Sequence, residues 1–168
     1  MALMAKHSSM TAILMGGLIA GTIDIGSAAL INWRSPVFIL HAVAGGLLGM
    51  ATFSDGVFAA ILGLILQWTM SLVIAAAYVI ASGTCSVLKR YWIAGGLVYG
   101  IGIFVVMNYI VVPHSAYGHL PHFTALKALE NLVAMLLFGI VVAFFAGSIA
   151  ADNPTNSSPP DLNLHNSR

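Results

Sequence analysis

Apolar residues run in four long blocks separated by short polar breaks, and these blocks organise the chain. A helix rising 1.5 Å per residue needs about 20 apolar residues to cross a hydrocarbon core of about 30 Å. Residues 10–31, 57–81, 93–112 and 131–151 meet that length, and each reads as a transmembrane helix. Between the first two, residues 37–53 are apolar, but as a helix they would be only about 25 Å long, short for a crossing. Arg34-Ser35-Pro36 precedes them. Ser35 is placed to cap a helix and Pro36 to occupy its first position. The segment is therefore expected to be a short interfacial or re-entrant helix, with a fifth crossing as the alternative. After Ala151 the chain becomes polar and proline-rich, beginning Asp152-Asn153-Pro154-Thr155. Such a tail buries too little apolar surface to offset its ordering entropy, so 152–168 is expected to be disordered. The pattern predicts an all-α integral membrane bundle in one domain over residues 1–151, with four spans and one short helix.

Composition agrees with lipid as the solvent. The chain is 60% hydrophobic and 7% charged, with a mean hydropathy of +0.97, whereas soluble domains carry about 25% charged residues. The net charge is +1 with scattered Lys and Arg, which gives no basic stripe for nucleic acid. Cys85 is the only cysteine, so neither an internal disulfide nor a cysteine-based zinc site is available. The start, with Lys6 before an apolar run, has the outline of a signal peptide. Asp24 interrupts that run and further long apolar blocks follow, so it is read as the first span. With four crossings, Lys6, Lys89, Arg90 and Arg168 share one side, and Arg34 and Lys127 the other. The bias predicts both termini in the cytoplasm.

Helices in lipid associate through small residues that let backbones approach. Gly17 and Gly21 stand four apart in the first span, with Asp24 and Ala28 continuing their face. The second span carries Ala59, Gly63, Gln67, Ser71 and Ala75 at steps of four. Gly96 and Gly100 mark the third span, and Gly139, Ala143 and Gly147 the fourth. Each glycine is expected on a packing face, and Asp24 and Gln67 are expected to point inward with them.

Depth along alternating helices then groups the polar residues. Asp24 lies about 10 Å, and Asn108 about 6 Å, from the span ends that flank the Arg34 side. Glu130 and Asn131 open the fourth span on that side, His41 lies in the short segment starting there, and Gln67 forms the floor about 15 Å in. Asp24, Arg34, His41, Gln67, Asn108, Glu130 and Asn131 are thus the candidate lining of a polar pocket in the outer half of the bundle. A carboxylate in hydrocarbon costs on the order of 3 kcal/mol, so Asp24 should be neutral, hydrogen-bonded or paired. Arg34 and His41 are its candidate partners, and Asn108 a candidate bridge from the first span to the third. His114, His119 and His122 invite a metal, but a loop containing Gly118 and Pro121 gives them no defined scaffold. No catalytic group, metal or cofactor is expected: phosphate-loop, nucleophile-elbow and Ser-His-Asp patterns are missing from the sequence.

The series "GLIAGTIDIGSA", "RSPVFILHAVAGGLLGMATFSDGVFAAILGLILQW", "AAAYVIAS" and "GGLVYGIGIFVVMNYIVVPHSA" resembles small bacterial inner-membrane proteins of the YagU-like group over roughly residues 16–150. The resemblance implies a multi-spanning protein of the bacterial inner membrane and no particular reaction. In that pattern a histidine often stands where this chain has Gln67, and another near Asn131. Replacing them by amides weakens a proton relay and leaves a hydrogen-bonded pocket intact. Two functions therefore stand beside each other: a non-enzymatic assembly or accessory protein, joined to itself or to a membrane partner, and a small transporter or proton-linked channel using Asp24.

Overall fold

A computed structural model describes residues 2–49, 52, 56–116 and 124–151. The chain forms helices α1 (Ala2–Asn32), α2 (Pro36–Leu48), α3 (Gly56–Thr84), α4 (Ser86–Arg90), α5 (Trp92–Val106) and α6 (Ala125–Ala151). A π-helical turn over Met107–Val111 extends α5 without a break. The fold is all-α, and four helices are long and apolar enough to cross a membrane: Ser9–Asn32, Gly56–Thr84, Trp92–Val111 and Ala125–Gly147. These are the attributes of a multi-pass membrane protein. The expected tail at 152–168, and His119 and His122 of the loop, lie outside the described residues.

Local chemistry sets the helix boundaries. Trp33 adopts a left-handed conformation at φ 51°, and α1 closes there with Arg34 N–H donating to Ala29 O at 3.0 Å. Ser35 then caps α2, its Oγ accepting from Phe38 N–H at 3.3 Å, and Pro36 takes the first helical position, where it has no N–H to leave unsatisfied. Gly49 ends α2 at φ 78° and donates its N–H to Gly45 O. At 13 residues this helix is about 20 Å long, shorter than a hydrocarbon core of about 30 Å. The fourth long helix starts six residues before the expected 131. Thr124 initiates it, with Thr124 O accepting from Ala128 N–H at 2.9 Å. Alanine and leucine at 125, 126, 128 and 129 continue the helical run, so Lys127, Glu130 and Asn131 occupy its first turns.

The helices pack in an open arc: α5 lies on α6, α6 on α1, α1 on α3, and α3 on α2. Ala20, Ala75, Tyr78, Ile103, Phe138, Val142 and Ala143 form the core where the four long helices converge. Glycines set the closest approaches. A Cβ on Gly139 would collide with Gly96 O and lie 2.9 Å from Gly100 N, while one on Gly100 would lie 2.6 Å from Met135 O. One on Gly96 would lie 2.8 Å from Gly139 O. These three positions let α5 and α6 touch backbone to backbone. Gly17 faces Leu72, with Leu72 Cα 3.1 Å from such a Cβ, and Gly21 faces Ser71, which brings α1 onto α3. Gly63 admits the Leu40 carbonyl of α2. Gly147 differs from expectation, since its nearest neighbour would be Trp92 Cβ at 3.9 Å, an ordinary contact. There α5 presents Trp92, whose ring makes an edge contact with Phe144 of α6, ring centres 5.8 Å apart.

Candidate functional site

Asp24, Ala28 and Ile31 follow one another at i, i+4 and i+7 along α1, and Lys127, Asn131 and Ala134 do the same along α6. Such spacing keeps each trio on one helix face. With Asn32, the two faces enclose a cavity of about 190 Å³. Ala28 and Ala134 leave the room; the longer residues supply polar groups. At about 30 Å³ per water in the liquid, the volume equals about six waters.

Asp24 is fixed from the side. Gln67 Nε2 donates to Asp24 Oδ2 at 2.7 Å, joining α1 to α3 rather than to the third span as the Asn108 bridge required. Trp68 Nε1 donates to Thr22 Oγ1 across the same helix pair at 3.4 Å. Asn108 instead faces α6, where its Oδ1 accepts from Asn131 Nδ2 at 3.4 Å. Its own Nδ2 returns to Phe104 O at 2.8 Å, so this amide is buried with its donor satisfied. Two pairs, Asp24–Gln67 and Asn108–Asn131, thus meet at one cavity through Asp24 and Asn131.

The remaining expected residues are elsewhere. Arg34 is exposed and stacks on Phe38, its guanidinium carbon 5.0 Å from the ring centre, because the Trp33 turn carries it outward with the start of α2. His41 Nε2 donates to Gly56 O at 2.7 Å, where it secures α2 to the first residue of α3. Neither is the partner of Asp24. Glu130, one position before Asn131, is turned by about 100° on the helix. It borders a shallow recess with Ser27, Leu30 and Leu137 instead of the Asp24 cavity.

Lys127 and Asn32 were not among the candidates, and both line the cavity. Lys127 Nζ donates to Ile31 O and to Asn32 Oδ1, each at 3.2 Å, while Asn32 Nδ2 donates back to Ala28 O at 2.9 Å. An ammonium on the terminal carbonyls of α1 meets the negative end of that helix. The signal was the step of four from Lys127 to Asn131, which vanishes when the fourth span is begun at 131. An ammonium has three donors, so one N–H of Lys127 remains beyond its two bonds to α1.

The wall therefore offers a carboxylate, an ammonium and two amides within one small volume. It suits a small polar solute or a proton-exchanging water cluster, because both a donor-rich and an acceptor-rich side are present. Among the described residues that line it, no side chain stands as a nucleophile beside a base. Of the loop histidines, His114 hydrogen-bonds Ile110 O through Nδ1 at 2.7 Å. Among the described residues no three His, Cys, Asp or Glu side chains converge as a metal site would require. Comparison of the chain with protein-family models, with curated proteins and with solved structures finds no match.

Proposed function

We propose that this chain is a non-enzymatic, multi-pass protein of the bacterial inner membrane, an assembly or accessory component with a polar cavity in the outer half of the bundle and both termini in the cytoplasm. The observation that carries this reading is the way Asp24 is used. Its carboxylate is a hydrogen-bonded tie between α1 and α3, the role polar side chains commonly take between membrane helices. The spans also have much apolar surface to share, since only 17–33% of each apolar window is buried within the chain. Lipid covers part of that surface, and a second copy or a membrane partner covers the rest. The resemblance to YagU-like proteins and the distribution of Lys and Arg support the membrane and the orientation.

A second reading, a small transporter or proton-linked channel, is favoured by one specific fact: Asp24 also forms part of the cavity wall. Intramembrane carboxylates on cavities mark ion and proton paths. Proton flux into proteoliposomes under an imposed pH gradient separates the two, with wild type compared to Asp24→Asn after both are shown to be folded. The assembly reading expects no flux in either protein, together with discrete cross-linked species in native membranes. Flux that disappears in Asp24→Asn overturns it in favour of transport, and a chain that remains uncross-linked to itself or any partner removes its other support.

A further inference from the structure

Opposite charges stand at the two ends of the cavity between α1 and α6. These helices run antiparallel, since Asn32 meets Lys127 at one end of the pair and a Cβ on Gly16 would lie 3.2 Å from Phe145 Cβ at the other. Lys127 holds its ammonium at Ile31 O and Asn32 Oδ1, beside the exposed last residue of α1. Asp24 lies seven residues before Ile31, so its carboxylate stands about 10 Å deeper along α1. Ala28, Ile31 and Ala134 supply the alkyl part of the wall. Both charges have capacity to spare. Lys127 keeps its third N–H, and Asp24 Oδ1 takes no hydrogen bond from the described residues, Gln67 being on Oδ2. Asn131 gives its Nδ2 to Asn108 and retains Oδ1 as an acceptor.

Resting on the polar cavity of the function proposed above, we propose that it binds a linear ω-amino acid of the γ-aminobutyrate class, its ammonium on Asp24 and its carboxylate on Lys127. Three features select that ligand. A volume of about 190 Å³ is below the 300–1,000 Å³ usual for drug-sized ligands, so the occupant is small. Its charges must also be divided. A zwitterion brings a counter-charge to each end and adds no net charge to a desolvated site, whereas a simple cation leaves Lys127 unanswered and a simple anion meets the Asp24 carboxylate. Finally, the separation sets the length. A charge-assisted bond of about 2.8 Å at each end leaves about 5 Å between the ligand's own charges. Each bond of an extended chain advances about 1.25 Å, so about four bonds must lie between nitrogen and carboxyl carbon, as in γ-aminobutyrate. Glycine, with two, reaches one charge at a time; ε-aminocaproate, with six, is too long to lie extended between them. The methylenes of the ligand then rest on the alkyl wall, with Asn131 Oδ1 available as a second acceptor for its ammonium.

The test uses the full chain in phosphatidylcholine nanodiscs with tritiated γ-aminobutyrate, read by scintillation proximity. Unlabelled glycine, ε-aminocaproate, butylamine and butyrate compete in parallel. The expected result is saturable binding, displaced by γ-aminobutyrate at concentrations at least about tenfold lower than by any of the four, each of which gives up a charged contact or the fit between the two. Lys127→Met should erase the preference over butylamine, and Lys127→Arg should retain it. Asp24→Asn should erase the preference over butyrate. A change of preference is a readout that loss of fold alone does not produce. Ala28→Leu, which fills the slot, should weaken binding at least about tenfold, whereas Gly26→Leu, whose Cβ meets nothing within 4 Å, should leave it unchanged. No saturable binding by the wild type, equal competition by glycine or butylamine, or charge variants that keep the wild-type preferences would each overturn the proposal. A chain that cross-links as the assembly reading expects but does not bind γ-aminobutyrate would remove the ligand and leave that reading in place; binding without cross-links would do the reverse.

Discussion

The α5–α6 contact gives the sharpest quantitative expectation. In Gly139→Ala, the added methyl meets Gly96 O and lies 2.9 Å from Gly100 N and 3.0 Å from its Cα, all backbone atoms that cannot rotate away. Carbon atoms prefer about 3.5–4.0 Å, so the helices must separate by at least about 0.5 Å. A gap of that size forfeits about a third of each dispersion contact. Over on the order of 40 atom pairs at about 0.15 kcal/mol, the loss is about 2 kcal/mol. Gly147→Ala is the matched control, because its methyl would sit 3.9 Å from Trp92 Cβ and alanine favours the helix by up to about 1 kcal/mol. Reversible unfolding in mixed detergent micelles, followed by far-ultraviolet circular dichroism, should show Gly139→Ala destabilised and Gly147→Ala equal to wild type or better. Equal stabilities for the two variants would refute the assignment of Gly96, Gly100 and Gly139 as the points that set the helix separation.

Three further outcomes follow from individual bonds. A double-mutant cycle on Asp24→Ala and Gln67→Leu, each of which removes the bond, should give a coupling of about 0.6 kcal/mol and no more than about 2 kcal/mol, the range for hydrogen bonds between membrane helices; additive effects would place the two side chains apart. Among the described residues Tyr78 Oη is buried without a hydrogen-bond partner, whereas Tyr99 Oη donates to Ile74 O at 2.7 Å. Tyr78→Phe should therefore leave the unfolding midpoint unchanged or raise it, and Tyr99→Phe should cost about 1 kcal/mol. Lys127→Met removes the two bonds that hold the end of α1, and hydrogen exchange at the α1 C-terminus should accelerate about fivefold for a loss of about 1 kcal/mol; unchanged exchange would show that Lys127 does not secure that end.

Length and hydropathy were enough to locate the four long helices, because lipid admits little else as a spanning structure. The capping of α2 was equally legible, since Ser35 and Pro36 act on their own neighbours. Partner choice was harder. Asp24 could be assigned to the interior from Gly17 and Gly21, but whether it met Arg34, His41, Asn108 or Gln67 depended on how far each helix turned around its neighbour. Arg34 was lost to the left-handed Trp33, a conformation rare for a tryptophan and unannounced by local sequence. Glu130 falls outside the cavity because it sits about 100° from Asn131 on the helix, and Lys127 enters it because α6 starts at Ala125, six residues before the expected 131. Shifting a helix start does not change which residues share a face; it changes which of them are counted as inside the span at all.

The π-helical turn at Met107–Val111 has a consequence for phase. Gly96, Gly100 and Ile103 form the buried stripe of α5, and an unbroken α-helix would continue that stripe at Met107. One extra residue in the turn delays the face by about 100°, so Asn108 is buried while Met107 is only partly buried against the core. Deleting a single residue within the turn would restore the α-helical rhythm, bring Met107 to α6 and leave Asn131 opposite a thioether. The polar half of the bundle thus depends on a count: one residue more than the helix needs.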